Sequence, residues 1–283
     1  MRLVEKPLFL FNQSLYHGTF SRPRALAYDA KHRELWVADA GTGRIGIHRT
    51  DGVELFSFTS AEYLSNPARI AVRPQGGVAV LEGTRGAVRL FNYRGDYAGD
   101  LPLTELGEQP MIGAIAYDAA GQFYVADNRS SQIFVYRPDG SLKFQFGSRG
   151  YDEGQFVGVC AIHIGGDGTI YVLDQRAMAV QIFDAQGNFI RGWGKHEMGA
   201  QNVSLPSGLA VDSKGRVYLT DELRQQVKVY APTGKFLLAF GGLGDALGQL
   251  TFPTDIVIDE NDRVYVAERR TARVQVFEIR EVK

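Results

Sequence analysis

PSGLAVDSKGRVYLTDELRQQVKVYAPTGKFLLAF, residues 206–240, alternates short apolar runs with turns. Pro206–Asp212 is an apolar run closed by an acid, and Ser213-Lys-Gly215 turns the chain. Arg216–Asp221 follows, then the polar loop Glu222–Gln226 and a third run, Val227–Tyr230. Ala231-Pro-Thr-Gly234 turns into Lys235–Phe240. Runs rich in Val, Tyr and Phe, punctuated by Gly, Pro and Asp, read as strands and tight turns. Four such strands make one unit of a propeller, a blade.

The unit recurs. An acid closing a second strand and a glycine thirteen residues later form the pairs Asp39/Gly52, Glu82/Gly95, Asp127/Gly140, Asp174/Gly187 and Asp221/Gly234. Glu268 follows in register, and its glycine would fall just before the chain stops. Successive acids are 43, 45, 47, 47 and 47 residues apart. No window carries a helical period with caps, so the expected class is all-β: a six-bladed β-propeller of four-stranded antiparallel blades. The blades are expected over 23–59, 67–101, 110–147, 157–194, 206–241 and 253–277, in one domain spanning 1–283. The last blade lacks a fourth strand. Lys6-Pro-Leu-Phe-Leu-Phe11 reads like Lys235–Phe240, so residues 1–12 are expected to close the ring, with Leu8–Phe11 on Val274–Phe277. Closure removes two exposed strand edges.

Composition narrows the function classes. Lys and Arg number 31 against 32 Asp and Glu, so no global basic field argues for nucleic acid and no polybasic tail for a membrane. The single Cys160 excludes an internal disulfide and a multi-cysteine zinc site. No apolar run reaches membrane-spanning length, and the N-terminus lacks the apolar core of a signal peptide. The expected location is cytoplasmic if Met1 is the native start, and periplasmic or secreted if a leader has been removed. Oligomeric state cannot be read from this sequence.

Several segments match one consensus. They are Pro206-Ser-Gly-Leu-Ala-Val-Asp212, Arg263-Val-Tyr-Val-Ala-Glu268, Arg273-Val-Gln-Val-Phe277 and Phe144-Gln-Phe-Gly147. Together they resemble the NHL-repeat family over essentially the whole chain. The resemblance implies a six-bladed propeller. The family includes ubiquitin-ligase-associated interaction domains, RNA-binding domains and a peptide-amidating lyase, so the fold alone does not choose a function.

In a four-stranded blade the first-to-second and third-to-fourth turns leave one face. The second-to-third loops and the links between blades leave the other. The long links 147–158, 194–205 and 241–252 belong to the second face, where the working surface is expected. After each second-strand acid comes an arginine: Arg44, Arg85, Arg129, Arg176, Arg224 and Arg269/Arg270. Arginine clamps carboxylate or phosphate through two hydrogen bonds. The acids recur in every unit, as a structural device would, whereas the arginines shift in position. Arg85, Arg129, Arg176, Arg224 and Arg270 are therefore the candidate binding residues. Tyr151 is a candidate apolar contact, with Phe156 and Trp193 available only if exposed.

His163 departs most from the repeat, where Ala27, Ala71, Ala116, Ala210 and Val257 hold its position. An imidazole there could ligate metal or move protons. The plainer alternative is a packed histidine, because no second histidine stands at an equivalent inner position. The related amidating lyase holds zinc with several channel histidines; here only His17, His163 and His196 could meet, and their spacing does not reproduce such a set. Calcium-binding lactonases of this architecture use inner acids and amides; Asp255 sits at a generic repeat position, a weak signal. No catalytic triad motif or phosphate loop is present, so no cofactor or metal is expected. Acids such as Glu62, Glu105, Glu108, Asp152, Glu153, Glu197 and Asp245 share the second face and oppose single-stranded RNA. The expected function is non-enzymatic recognition of a protein or peptide, or a small ligand. A metal-assisted hydrolase or lyase around His163 is the alternative, and single-stranded RNA binding the second alternative.

Overall fold

The computed structural model describes residues 2–14, 18–83, 86–194 and 202–282. Six four-stranded antiparallel sheets carry them, and the chain is a six-bladed β-propeller. The helical content among the described residues is the single turn Thr104–Leu106. Two compact units divide the chain, one of residues 1–68 with 207–283 and one of residues 69–206.

In the first unit, blade one is Pro23–Asp29, Glu34–Asp39, Arg44–Arg49 and Glu54–Thr59. Blade five is Pro206–Val211, Val217–Asp221, Gln226–Tyr230 and Phe236–Gly241. Blade six is Pro253–Ile258, Arg263–Glu268 and Arg273–Val282, completed by Arg2–Phe11. Every residue of Glu34–Asp39 and Val217–Asp221 is buried. Both sides of these strands are covered, which is why their sequences are apolar without alternation. Outer strands such as Phe236–Gly241 are only partly buried.

The closing strand is longer than the sequence suggested. Phe11 faces Val274, Leu10 faces Gln275 and Phe9 faces Val276; a bulge at Leu8 then shifts the register so that Pro7 faces Phe277. Pairing does not stop at Phe277 but continues to Arg2 opposite Val282. Lys6 opposite Glu278 places unlike charges across the pair, a favourable arrangement that extends the ladder. Leu8, Phe9 and Phe11 pack on a core that includes Phe20, Leu35, Val37, Tyr265, Val274 and Val276.

Phe11 also explains a turn glycine. Gly52 has φ +86°, and a Cβ there would lie 2.7 Å from the Phe11 ring. In the second unit, Gly187 lies under Phe146 in the same way, with a Cβ 2.8 Å from the ring. At these two positions the recurring glycine serves both a left-handed turn and an aromatic ring on the preceding outer strand.

The second unit holds blade two from Arg69 onward, with Val78–Glu82, Ala87–Phe91 and Tyr97–Asp100. Blade three is Ile112–Tyr117, Phe123–Asp127, Gln132–Tyr136 and Leu142–Phe146. Blade four is Val159–Ile164, Ile170–Asp174, Val180–Phe183 and Phe189–Trp193. Phe156 is fully buried among Phe146, Phe183 and Ile170, so this ring is core and not a contact residue. Trp193 is half-buried.

The long links 147–158 and 241–252 are more ordered than irregular loops, whereas most of 194–205 lies outside the described residues. Ser148–Arg149 pairs in parallel with Gln155–Phe156, and Leu243 bridges Leu250 in the other unit. The glutamine of the third strand clamps each link. Gln181 Nε2 donates to Gln155 O at 2.7 Å while its Oε1 accepts from Gly154 N at 2.8 Å. Gln275 makes the same pair of bonds to Gln249 O and Gly248 N, at 2.5 and 2.9 Å.

Removing residues 1–11 strips three apolar side chains, each worth about 1.5–3 kcal/mol when fully buried, from blade six. A melting temperature lower by about 10 °C or more is expected, at roughly 2–4 °C per kcal/mol for a chain of this size. Calorimetry of the truncated protein checks this; an unchanged melting temperature would contradict the closing role.

Candidate functional site

The acid ending each second strand is buried, and its oxygens are committed to the fold. Asp127 accepts from Met111 N at 2.8 Å in the preceding link, and from Arg129 N, Ser130 N and Ser130 Oγ at 3.1, 3.0 and 2.7 Å in the following loop. Asp39 does the same with Ser21 N, Arg22 N, Gly41 N and Thr42 Oγ1, at 2.8, 2.7, 3.0 and 2.9 Å. Asp174 accepts from Val157 N, Gly158 N, Arg176 N and Ala177 N. Glu268 reaches Thr251 N at 2.7 Å and also takes Arg273 Nε and Gln275 Nε2. Burial alone works against the Asp127 carboxylate, but Ser130 Oγ and the three amides outweigh it and hold its pKa below the ordinary value.

The arginines separate by their distance from the acid. Arg129, Arg176 and Arg270 each lie two residues after it and are exposed, and their guanidinium groups form no ion pair among the described residues. Arg224 lies three residues after Asp221 and turns back, its Nε 3.8 Å from the Asp221 carboxylate, which also faces the wholly buried Lys228 at 3.6 Å. Arg44, five residues after Asp39, is 1% exposed and sits over the Phe20 ring at 5.6 Å. It is a core residue and not part of a surface set. Arg269 pairs with Glu222 at 2.5 Å. Arg85 lies outside the described residues.

In the second unit the loops that carry Arg129 and Arg176 both meet Gly158–Val159. Asn128 donates to Val159 O and accepts from Val159 N, at 3.0 and 2.8 Å, stitching the blade-three loop to the first strand of blade four. Gly113 permits this approach: a Cβ there would lie 2.0 Å from Val159 O and 2.3 Å from Asn128 Nδ2. Arg129 follows Asn128 directly, and the Arg176 stem packs against Gly158 at 3.4 Å from an ideal Cβ. The Arg176 stem thus lies against Gly158, and Arg129 leaves the chain directly after the residue bonded to Val159. Tyr151, 71% exposed, and Met111, 58% exposed, belong to the two links that enter and leave blade three.

His163 lies in Val159–Ile164, half-buried, with its ring 6.0 Å edge-on from Tyr171. Its imidazole has no hydrogen-bond partner among the described residues, and desolvation lowers its pKa to about 4. No His, Cys, Asp or Glu among the described residues joins it in a metal-ligating group. His17 and His196 lie outside the described residues. Cys160 is buried, its Sγ 3.5 Å from Pro206 O. Ser207 and Thr254 hold the equivalent place and donate to Pro253 O and Pro23 O, so this thiol continues a structural series. Asp255 accepts from Leu26 N at 2.9 Å and Ile256 N at 2.9 Å, which ties the innermost strands of blades six and one. Arg69, which no repeat signal singles out, donates from Nε to Cys160 O at 3.1 Å. The metal-ligating group found among the described residues is Asp29, His32 and Glu34, at the first turn of blade one, where His32 Nδ1 lies 2.7 Å from Asp29 Oδ2.

Comparison with known proteins agrees with the fold. A family model described as NHL repeat matches residues 250–277, the link into blade six and most of that blade. A structural-genomics protein of unknown function from Bacteroides thetaiotaomicron VPI-5482 superposes with a TM-score of 0.71 at 14% identity, covering 99% of this chain and 77% of that one. Virginiamycin B lyase from Staphylococcus aureus superposes with a TM-score of 0.62 at 12% identity, over 98% of this chain and 99% of that one. The Cps50 (Swd1) propeller domain of Myceliophteria thermophila gives 0.64 at 10% identity, over 97% and 99%. Among curated proteins, none matches significantly. The chain is a six-bladed β-propeller, and it carries an NHL repeat. No helix among the described residues is long and apolar enough to cross a membrane.

The most deeply buried histidine yields a pH prediction. His48 is fully buried between Phe11 and Phe20, with ring centroids at 5.3 and 5.7 Å, and desolvation lowers its pKa to about 4. The unfolded chain binds this proton near pH 6.5 and the folded chain near pH 4, so stability is lost as pH falls through that window. Between pH 7 and pH 5 the wild type should lose about 2 kcal/mol more than His48→Phe. Urea unfolding at the two pH values measures this; equal losses in both proteins would contradict it.

Proposed function

We propose that this propeller is a non-enzymatic recognition module that captures a protein segment bearing acidic groups. A propeller carrying an NHL repeat supports a protein-interaction scaffold. The observation that carries the finer reading is the pair of exposed arginines, Arg129 and Arg176, free of ion pairs among the described residues and carried by loops that both meet Gly158–Val159. Their backbones are fixed by Asp127 and Asp174, so little order must be imposed on the loops when a partner binds. Each can clamp a carboxylate through two hydrogen bonds. Tyr151 and Met111 offer the exposed apolar surface that a peptide contact needs.

Asp152 and Glu153 directly follow Tyr151 and are exposed. Such mixed charge suits a peptide better than a polyphosphate chain. In the other unit, Arg270 is a third exposed guanidinium of the same kind. Arg224 is better read as part of the Asp221–Lys228 ion-pair group. His163 lacks a second ligating side chain among the described residues, so no specific observation favours a metal-assisted reaction there. The lyase-described neighbours at 12% identity share the fold alone.

Selection from a random peptide library should enrich sequences with paired acids next to an apolar residue. Arg129→Glu with Arg176→Glu should weaken the selected peptides at least tenfold, with melting within about 2 °C of wild type, since exposed substitutions away from packing cost little. Selected peptides without acids, or unchanged affinity in the double variant, would overturn this reading.

A further inference from the structure

A second site lies at the opposite ends of blades two and three, on the tight turns. The starting point is a break in the repeat. Asp118, Asp212 and Asp259 close their first strands, and each amide donates to the carbonyl four residues on, at 3.1 Å. Their carboxylates accept from a second-strand phenol: Tyr124 at 3.3 Å, Tyr218 at 2.9 Å and Tyr265 at 3.0 Å. Each turn is thereby satisfied within its own blade. Blade two has the same turn, with Arg73 N donating to Gly77 O at 2.9 Å, but the acid is Arg73 and the tyrosine is Ala79. The charge is inverted and the phenol is gone.

Arg73 Nε is buried and has no hydrogen-bond partner. Tyr136, at the end of a third strand, is 3% exposed, and its buried hydroxyl also lacks a partner. A buried polar atom without a partner is destabilising, and more so when it carries charge. Both contribute to the wall of one cavity of about 140 Å³. An apolar cavity of roughly 150 Å³ accepts benzene. The space here is therefore that of one six-membered ring.

Aromatic and aliphatic side chains form part of the remaining wall, beside Gln75 and Arg137. Tyr117 and Phe123 lie with ring centroids 4.6 Å apart, and Leu101 and Leu103 from the link add aliphatic surface. Arg137 is a second cation in the lining, held by donation from Nη1 to Leu142 O at 2.7 Å. Glu105 is the acid that faces the Tyr136 hydroxyl. Two cations against one acid leave a single positive charge for a ligand to answer. Burial, with Glu105 adding to it, pushes the Tyr136 phenol above its ordinary pKa, so it stays a donor.

We propose that this cavity binds a small organic monocarboxylate with a flat ring: the ring between Tyr117 and the leucines, the carboxylate on Arg73 and the Tyr136 hydroxyl. No step of this inference depends on the protein-binding surface, because the two sites share no residue.

Calorimetric titration of the full chain with benzoate tests it, with benzamide as the uncharged isostere and acetate as the ringless one. Saturable benzoate binding is expected, at least tenfold tighter than benzamide or acetate. Arg73→Met and Tyr136→Phe should each weaken benzoate at least fivefold. Tyr136→Phe removes one oxygen only, and the ligand comparison on the wild type needs no variant, so a misfolded Arg73→Met leaves the test intact. Absence of saturable benzoate binding up to 10 mM, equal binding of benzamide, or full affinity in folded variants would overturn the proposal.

Discussion

A carboxylate removed from water must find donors, and in this chain the buried acid at the end of a second strand finds them on both sides of its blade. One set comes from the link that enters the blade, the other from the loop that leaves the strand. Asp39, Asp127 and Asp174 each accept from both segments. Replacing any of them by an apolar residue would leave several amides buried without acceptors, which costs more than the bonds themselves contribute. The third-strand glutamines Gln181 and Gln275 add a second clamp on the links. The links and loops at this end of the blades are consequently short, pinned segments.

That constraint separates the roles of neighbouring charges. The acids face inward and are saturated, so they are not available to a ligand. Arginines two residues later face outward, because the loop has just been turned by its bonds to the acid. At an offset of five the side chain has re-entered the third strand: Arg44 and Arg273 are both buried. The face proposed for recognition and the cavity among the tight turns are then two products of one repeat. The first exposes what the repeat keeps variable; the second appears where blade two replaces the repeat's Asp–Tyr pair with Arg73 and Ala79.

Most of the fold was legible because strands, turns and acids recur with fixed spacing, and a missing fourth strand can be sought at the other terminus. The extension to Arg2 and Val282 was not legible, since charged alternation in Arg2–Lys6 and Glu278–Val282 looks like a solvated tail until the two segments are paired. The site was legible in part. Arg129 and Arg176 could be nominated, but the inward turn of Arg224 and the burial of Arg44 depend on offsets whose meaning appears only with the loop geometry. Arg73 carried a readable signal, an arginine in an aspartate register, yet its significance rests on Tyr136 and Tyr117, which come from another blade.

Second-strand carboxylates hold the links and loops as firmly as the ladder holds the strands. Amide hydrogen exchange of the wild type and of Asp127→Ala measures it directly. Met111 and Ser130 in the wild type, and Val157 and Gly158 in both proteins, should be protected like strand amides, although all four lie outside the ladders. In Asp127→Ala, protection should vanish at Met111 and Ser130 and persist at Val157 and Gly158. Rapid exchange of Met111 and Gly158 in the wild type would contradict the account.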